Sequence, residues 1–305
     1  MAMKKGLKHL ACDFAILLAV LVVVDLLCGF ASEKLIMKLP NCNNELSHTK
    51  QSFFNQEADI LILGSSRAVH HYNPEILEDS LGMSAYNGGL DGKGIMYSYS
   101  VLEATLMRHC PKIVILDVIG SAINGEWTYK EIGQKSFYTL NPYTREVIDA
   151  TTDFPDNLML YSGLYRGNDL PLRMAKTFLM GDSDFKGYNA KSTTREGMKA
   201  EFSDKSDEFV FDSLSRVYFD KIVSTCRDND IRLVLSYSPS LSVGNGSMMR
   251  QIGEIAKDEG LQVINAERDT SFLNHPELFT DMSHLNCYGA EKFTKIVVEE
   301  LQNGF

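Results

Sequence analysis

Followed by its apolar and polar positions, the chain opens on one long apolar run and then alternates short apolar stretches with amphipathic ones. Residues from about 10 to 31 are mostly apolar, and 14–24 carry no charge at all. A helix needs about 20 such residues to cross a bilayer. From 33 to 57 the sequence turns polar, and Pro40, Asn41, Asn43 and Asn44 argue for a linker. Unbroken or nearly unbroken apolar runs follow at 59–63, 112–118, 232–236 and 261–264, with a brief one near 84–86. Runs of this length read as strands buried on both faces. Between them lie helical patterns at 74–81, 95–108, 209–228, 247–259 and 288–302. Gly82 and Gly260 stop two of these, and the 95–108 helix ends before Pro111. Strand and helix in this alternation predict an α/β fold of three layers, a parallel sheet with helices on both faces. Residues 120–208 keep no steady period and are rich in aromatics, the single tryptophan Trp127 among them. That stretch reads as an inserted cap over the carboxyl edge of the sheet. The expected organisation is an amino-terminal tip and transmembrane anchor over 1–32, a linker over 33–57, and the α/β domain over 58–305.

Charge and composition narrow the setting. The chain of 305 residues has a formal charge of -10, and phosphate binding needs a basic face, so a nucleic-acid partner is not expected. Lys4, Lys5 and Lys8 precede the apolar run and an acidic remainder follows it. This asymmetry predicts a single-pass protein of the cytoplasmic membrane, amino terminus inside and body outside. Asp13 and Asp25 interrupt the run. A central carboxylate would cost about 2.5–3.5 kcal/mol on insertion scales and less near the interface. The rival reading is a cleaved signal peptide processed around Gly29-Phe30-Ala31-Ser32. Cys12 and Cys28 fall in the apolar run. The other four cysteines, Cys42, Cys110, Cys226 and Cys287, show no metal-ligand spacing. No metal or other cofactor is expected.

The candidate chemistry gathers at two places. The 59–63 strand ends in Gly64-Ser65-Ser66-Arg67, at the edge where open α/β sheets bind their ligands. Far downstream, Asp281-Met282-Ser283-His284 offers an acid and a histidine one turn apart. A serine hydroxyl becomes a nucleophile only with a base in reach and a third group to hold that base. Ser66, His284 and Asp281 are the residues of that pattern, with Ser65 as the alternative nucleophile. The bland alternatives are a helix-capping serine and a capping Asp–His pair. The backbone N–H of Ser66 can face a forming oxyanion, and the glycines of the 87–94 loop permit a second close backbone approach. Arg67 has two readings, a binding group for a substrate carboxylate or phosphate, or a partner for an acid of the scaffold. His70 and His71, within two turns of Ser66, either line the pocket or serve the scaffold.

These blocks resemble the SGNH, or GDSL-like, hydrolase superfamily. Gly64-Ser65-Ser66 is similar to its first block, Gly89 in Asn87-Gly88-Gly89 to its second, and Asp281-x-x-His284 to its last. The third block departs, since no Gly-x-Asn-Asp follows the 112–118 strand and Asn124 is the nearest substitute. The resemblance implies a flavodoxin-like SGNH fold, Ser66, Gly89 and Asn124 around the oxyanion, and Arg67 and Asn87 toward the substrate. The Gly-Ser-Ser block, the anchor and the external body also resemble the D-alanyl-transfer protein of teichoic-acid modification and related envelope acyl-handling proteins. The expectation is a membrane-tethered esterase or O-acyltransferase acting on acyl esters of cell-envelope glycans, or on a small ester. The resemblance leaves room for a membrane-bound acyltransferase as partner. The alternative is a non-catalytic envelope scaffold or glycan-binding protein that keeps the fold.

Overall fold

The computed structural model describes residues 2–203 and 208–303. The chain runs through α1 (Ala2–Ile36), α2 (Glu45–Phe54), β1 (Ile60–Leu63), α3 (Ser66–His71), α4 (Pro74–Leu81), β2 (Ala85–Asn87), α5 (Ile95–Leu106) and β3 (Ile113–Asp117). The middle of the chain holds α6 (Gly120–Ile123), α7 (Pro142–Thr151), α8 (Asp156–Met159), α9 (Gly163–Arg166), α10 (Leu170–Met180) and β4 (Glu201–Phe202). It closes with α11 (Ser213–Asp228), β5 (Arg232–Tyr237), β6 (Ser242–Val243), α12 (Ser247–Glu259), β7 (Gln262–Asn265), α13 (Thr270–Leu273) and α14 (Cys287–Asn303).

Five strands form one parallel sheet in the order β2-β1-β3-β5-β7. Counted within this sheet alone, that is the 2-1-3-4-5 order of the doubly wound flavodoxin-like fold. The strand residues explain the layering. Successive side chains point to opposite faces, so Leu61, Leu63, Val114, Leu116, Leu233 and Leu235 enter one core. Ile60, Ile62, Ile113, Ile115, Val234 and Ile264 enter the other. Phe53, Tyr97, Phe219 and Ile252, from α2, α5, α11 and α12, cover the first face. Tyr72, Leu77, Phe272 and Phe293, brought by the α3, α4, α13 and α14 side, cover the second. Each large apolar side chain buried in this way contributes about 1.5–3 kcal/mol. The topological reversal falls between β1 and β3, and Ser66 follows the first of these strands while Asp117 ends the second.

Local chemistry sets the helix limits. Asn73 accepts the Glu75 N–H ahead of Pro74, and Gly82, in left-handed conformation, ends α4. Asp212 caps α11 through the Ser215 N–H.

Two features differ from the expected organisation. The polar stretch over 33–57 is not a linker: α1 runs on to Ile36, and α2 is buried along most of its length. Its Asn44 cap and the burial of Phe53 against Tyr97 and Phe137 build it into the body. The middle segment also divides its work. Helices α9 and α10 pack on α1 rather than over the sheet. Its extended tail crosses the carboxyl edge, where Lys186 O accepts the Asn87 N–H and Asn189 N–H donates to Val69 O.

Candidate active site

Strand β1 ends at Gly64, whose φ of 141° lies in the region only glycine adopts without strain. A side chain there would meet Asp117 O at 2.8 Å and Ala68 Cβ at 2.9 Å. The chain can therefore turn tightly from strand into α3. Gly64→Ala is expected to cost roughly 1–3 kcal/mol of stability, read by denaturant unfolding.

Ser65 precedes α3 with a fully buried hydroxyl, whereas Ser66 is partly exposed at its first position. The hydroxyl of Ser66 donates to His284 Nε2 at 2.8 Å. His284 Nδ1 in turn donates to both carboxylate oxygens of Asp281, at 2.9 Å each. The three side chains thus form one hydrogen-bonded line across 218 residues of sequence.

The Asp–His segment is a closed loop. Phe279 and Leu285, both fully buried, pair antiparallel at its base, and Thr280 N–H donates to His284 O. Asn286 fastens it to α14 by accepting the Tyr288 and Gly289 N–H groups. Asp281 Oδ1 also accepts the N–H groups of Ser283 and His284. Partial burial opposes the charge on Asp281, but these hydrogen bonds and the one from the His284 ring outweigh it. Its carboxyl is held below the usual range and stays ionised beside the imidazole.

Other sequence candidates stand elsewhere. Arg67 is buried beneath the site: it stacks on Tyr237 at 4.1 Å, donates to Val118 O and faces Asp117 at 3.7 Å. Its scaffold reading is the one the geometry favours, and a substrate contact is ruled out by burial. Asn87 is likewise fully buried. Its amide donates to Ala68 O and Tyr72 O, satisfying carbonyls at the end of α3, and its oxygen accepts the Gly89 N–H at 3.0 Å. This corrects two expectations, since Asn87 has no face toward a substrate and the Gly89 N–H is already engaged. What Gly89 provides is close approach, because a Cβ there would meet Ala68 at 2.7 Å. Asn124 is the exposed end of α6, with its side chain turned to the Glu126 N–H, and it does not join the group. The N–H groups free to meet an oxyanion are those of the first turn of α3, which have no partner within the helix.

Sequence reasoning missed how much of the site is held by buried polar groups. Asp117 accepts the Tyr72 hydroxyl at 2.6 Å and the Ser238 N–H at 3.2 Å. Burial pushes its carboxyl above the ordinary range despite Arg67, Tyr72 and Ser238. A carboxylate closing the otherwise apolar strand 113–117 was the visible signal. His71 ties α3 to the Asp–His loop: its Nε2 accepts the Leu285 N–H at 2.9 Å, and its Nδ1 donates to Ser238 Oγ. His70 faces acceptors on both nitrogens, Asn189 O at 2.6 Å and Asp91 at 2.9 Å, with its ring edge-on to His284.

Burial, with Arg67, His284 and His70 nearby, holds His71 well below the usual histidine range. The folded ring stays neutral where the unfolded one takes up a proton below about 6.5. Stability is therefore full above that pH and declines as the pH falls beneath it. The unfolding temperature is expected to drop between pH 7 and 5, with a shallower slope in His71→Gln. A residual slope remains from His48, which burial pushes down to about 4. An unchanged slope in the variant would contradict this assignment.

Beside α3 lies a polar cleft of about 300 Å³ lined by Asn43, Glu45, His48, Asp91, Lys93 and Asn189. His70 connects it to the relay through Asp91. A cavity of about 480 Å³ near Arg232 and Gln262 sits at the opposite edge of the sheet, away from Ser66. Among the described residues no group of three or more His, Cys, Asp or Glu side chains is placed to hold a metal ion.

No protein-family model matches the chain, and no curated protein matches it significantly. The solved structures to which the chain is similar include the following three. One, from Desulfitobacterium hafniense DCB-2 and assigned to the lipolytic G-D-S-L family, shares 11% identity over 79% of this chain and 98% of that one, at a TM-score of 0.42. A GDSL-like lipase from Bacteroides thetaiotaomicron VPI-5482 shares 9% over 84% and 91%, at 0.41. A protein from Bacteroides fragilis NCTC 9343 named as an acylhydrolase shares 10% over 83% and 95%, at 0.40. Similarity at this level transfers no activity. The fold rests on the strand order, and the site on its own geometry.

Proposed function

We propose that this chain is a membrane-tethered serine ester hydrolase or O-acyltransferase of the SGNH type, with its body outside the cytoplasmic membrane. The observation that supports this most is the unbroken line from Ser66 through His284 to Asp281. In the proposed reaction Ser66 Oγ attacks the ester carbonyl while His284 Nε2 takes its proton. Asp281 holds the ring and stabilises its charged form. The oxyanion meets the amides that open α3. His284 then returns the proton to the leaving alcohol, and water or a sugar hydroxyl releases the acyl group. An acylated envelope glycan is the proposed substrate. The amide and carboxylate groups of the cleft beside α3 suit hydroxyl-rich ligands, and a membrane-bound acyltransferase could supply acyl groups to the same serine.

A fluorophosphonate probe applied to the full-length protein in detergent is the direct test. Labelling mapped to Ser66, and lost in Ser66→Ala, is the expected result. Labelling of Ser65, or of neither, would overturn the assignment.

A second reading, a scaffold or glycan-binding protein that keeps the fold, is favoured by the engaged Gly89 amide and the outward turn of Asn124. It predicts glycan binding without probe labelling.

A further inference from the structure

Helix α1 is long and apolar enough over Gly6–Ile36 to cross a membrane, and its large apolar side chains from Leu7 to Leu35 are exposed. Within it stands Asp25, a carboxylate in an apolar setting. Its oxygens accept the Ser162 hydroxyl at 2.6 Å and the N–H groups of Gly163 at 3.0 Å and Leu164 at 2.9 Å. Gly29 and Gly163 let the two backbones touch, because a Cβ on Gly163 would lie 2.6 Å from Gly29 Cα. Higher on α1, Glu33 meets Thr139 and Arg166.

These contacts fix the height of the middle segment along α1. An apolar window of about 20 residues, about 30 Å of helix, fits α1 with its body-side end between Val24 and Ser32. That interval spans about 12 Å. Across these registers Asp25, and with it the bonded residues 162–164, ranges from about 1.5 Å outside the hydrocarbon boundary to about 10 Å inside it, on the body side of the bilayer centre throughout. The surrounding surface has the composition that place demands. Phe154, Leu158, Met159, Tyr161 and Leu164 are exposed, and α8 buries no residue at all. Asp153 and Asp156 interleave with them, which suits a boundary rather than the hydrocarbon centre. Beside them α10 buries Leu170 and Met174, exposes Leu172 and Leu179, and carries Arg173 and Lys176. An apolar groove of about 590 Å³ separates it from α1.

We propose that residues 154–164, flanked by α10, are a membrane-docking paddle seated in the leaflet boundary beside α1. It tethers the body at a second point, so that the edge carrying Ser66 is held at a set height and tilt instead of swinging on one helix. The proposal rests on α1 being a retained anchor.

The test uses the full-length protein reconstituted in lipid, with Trp127→Phe as a tryptophan-free background. Leu158→Trp and Tyr161→Trp report on the paddle, Val22→Trp on the anchor, and Tyr288→Trp on an exposed position of α14. In lipid brominated near the headgroup end of its acyl chains, the two paddle reporters are expected to lose emission about twofold, with blue-shifted spectra. Tyr288→Trp is expected to remain red-shifted and unquenched. Quenching at Val22→Trp with none at 158 and 161 would overturn the paddle and leave the anchor standing. Blue-shifted but unquenched emission at 158 and 161 would point to a protein cover, such as a second copy, and equally overturn it. Absence of quenching at all sites would remove anchor and paddle together.

Discussion

Ser66→Ala is expected to lower the hydrolysis of an aryl acetate by the full-length protein at least about 10³-fold, with folding intact. The hydroxyl bonds to His284, whose ring is partly exposed, so its removal leaves no buried group stranded. His284→Ala is expected to fall as far. The Ser66→Ala/His284→Ala double variant should lose no more than either single one, because a relay broken at one link is already broken. Additive losses would mean that the two residues act separately, and equal rates for Ser66→Ala and the parent would remove the serine from the mechanism.

The largest effect on stability is expected at Arg67. Its guanidinium is buried against Asp117, with Tyr237 stacked on its face. Replacing it by methionine keeps much of the volume but leaves the Asp117 carboxylate buried without its cation. Breaking such a pair from one side costs about 3–5 kcal/mol. For a domain of this size that is a fall in unfolding temperature of about 6–20 °C. Asp117 already has its carboxyl raised by burial. Without Arg67 it takes a proton more readily, so acidification should narrow the gap between variant and parent. Arg67→Met/Asp117→Asn should recover part of the loss, since the stranded charge is gone. A single variant within about 1 kcal/mol of the parent would show that the pair contributes little.

The sheet was legible because its strands are apolar on both faces, and the run Ile60-Leu61-Ile62-Leu63 admits almost no other reading. Helix ends at Gly82 and Gly260 were equally plain, each being a left-handed cap. Ser66, His284 and Asp281 could be proposed together because their chemistry requires one another. What could not be read was the pairing of polar residues whose sequence neighbours say nothing of their partners. Asn87 and Gly89 look like loop residues open to a ligand, yet the Asn87 amide is fastened to Ala68 O and Tyr72 O, and the Gly89 N–H is taken by Asn87. His71 meets Leu285 across 214 residues, a contact that no local pattern announces. The 33–57 stretch misled for a related reason: Asn44 marks a helix start as readily as a disordered tract, and only tertiary packing decides between them.

The Asp25–Ser162 bond also bears on biosynthesis. Two stretches 137 residues apart must meet before the carboxylate is satisfied. Helix α1 is therefore made first and answered late, once the ribosome has delivered the second stretch. A version expressed without it would keep the relay sequence intact yet lack the seat on which α9 and α10 assemble, and would emerge with that apolar underside bare and prone to aggregate.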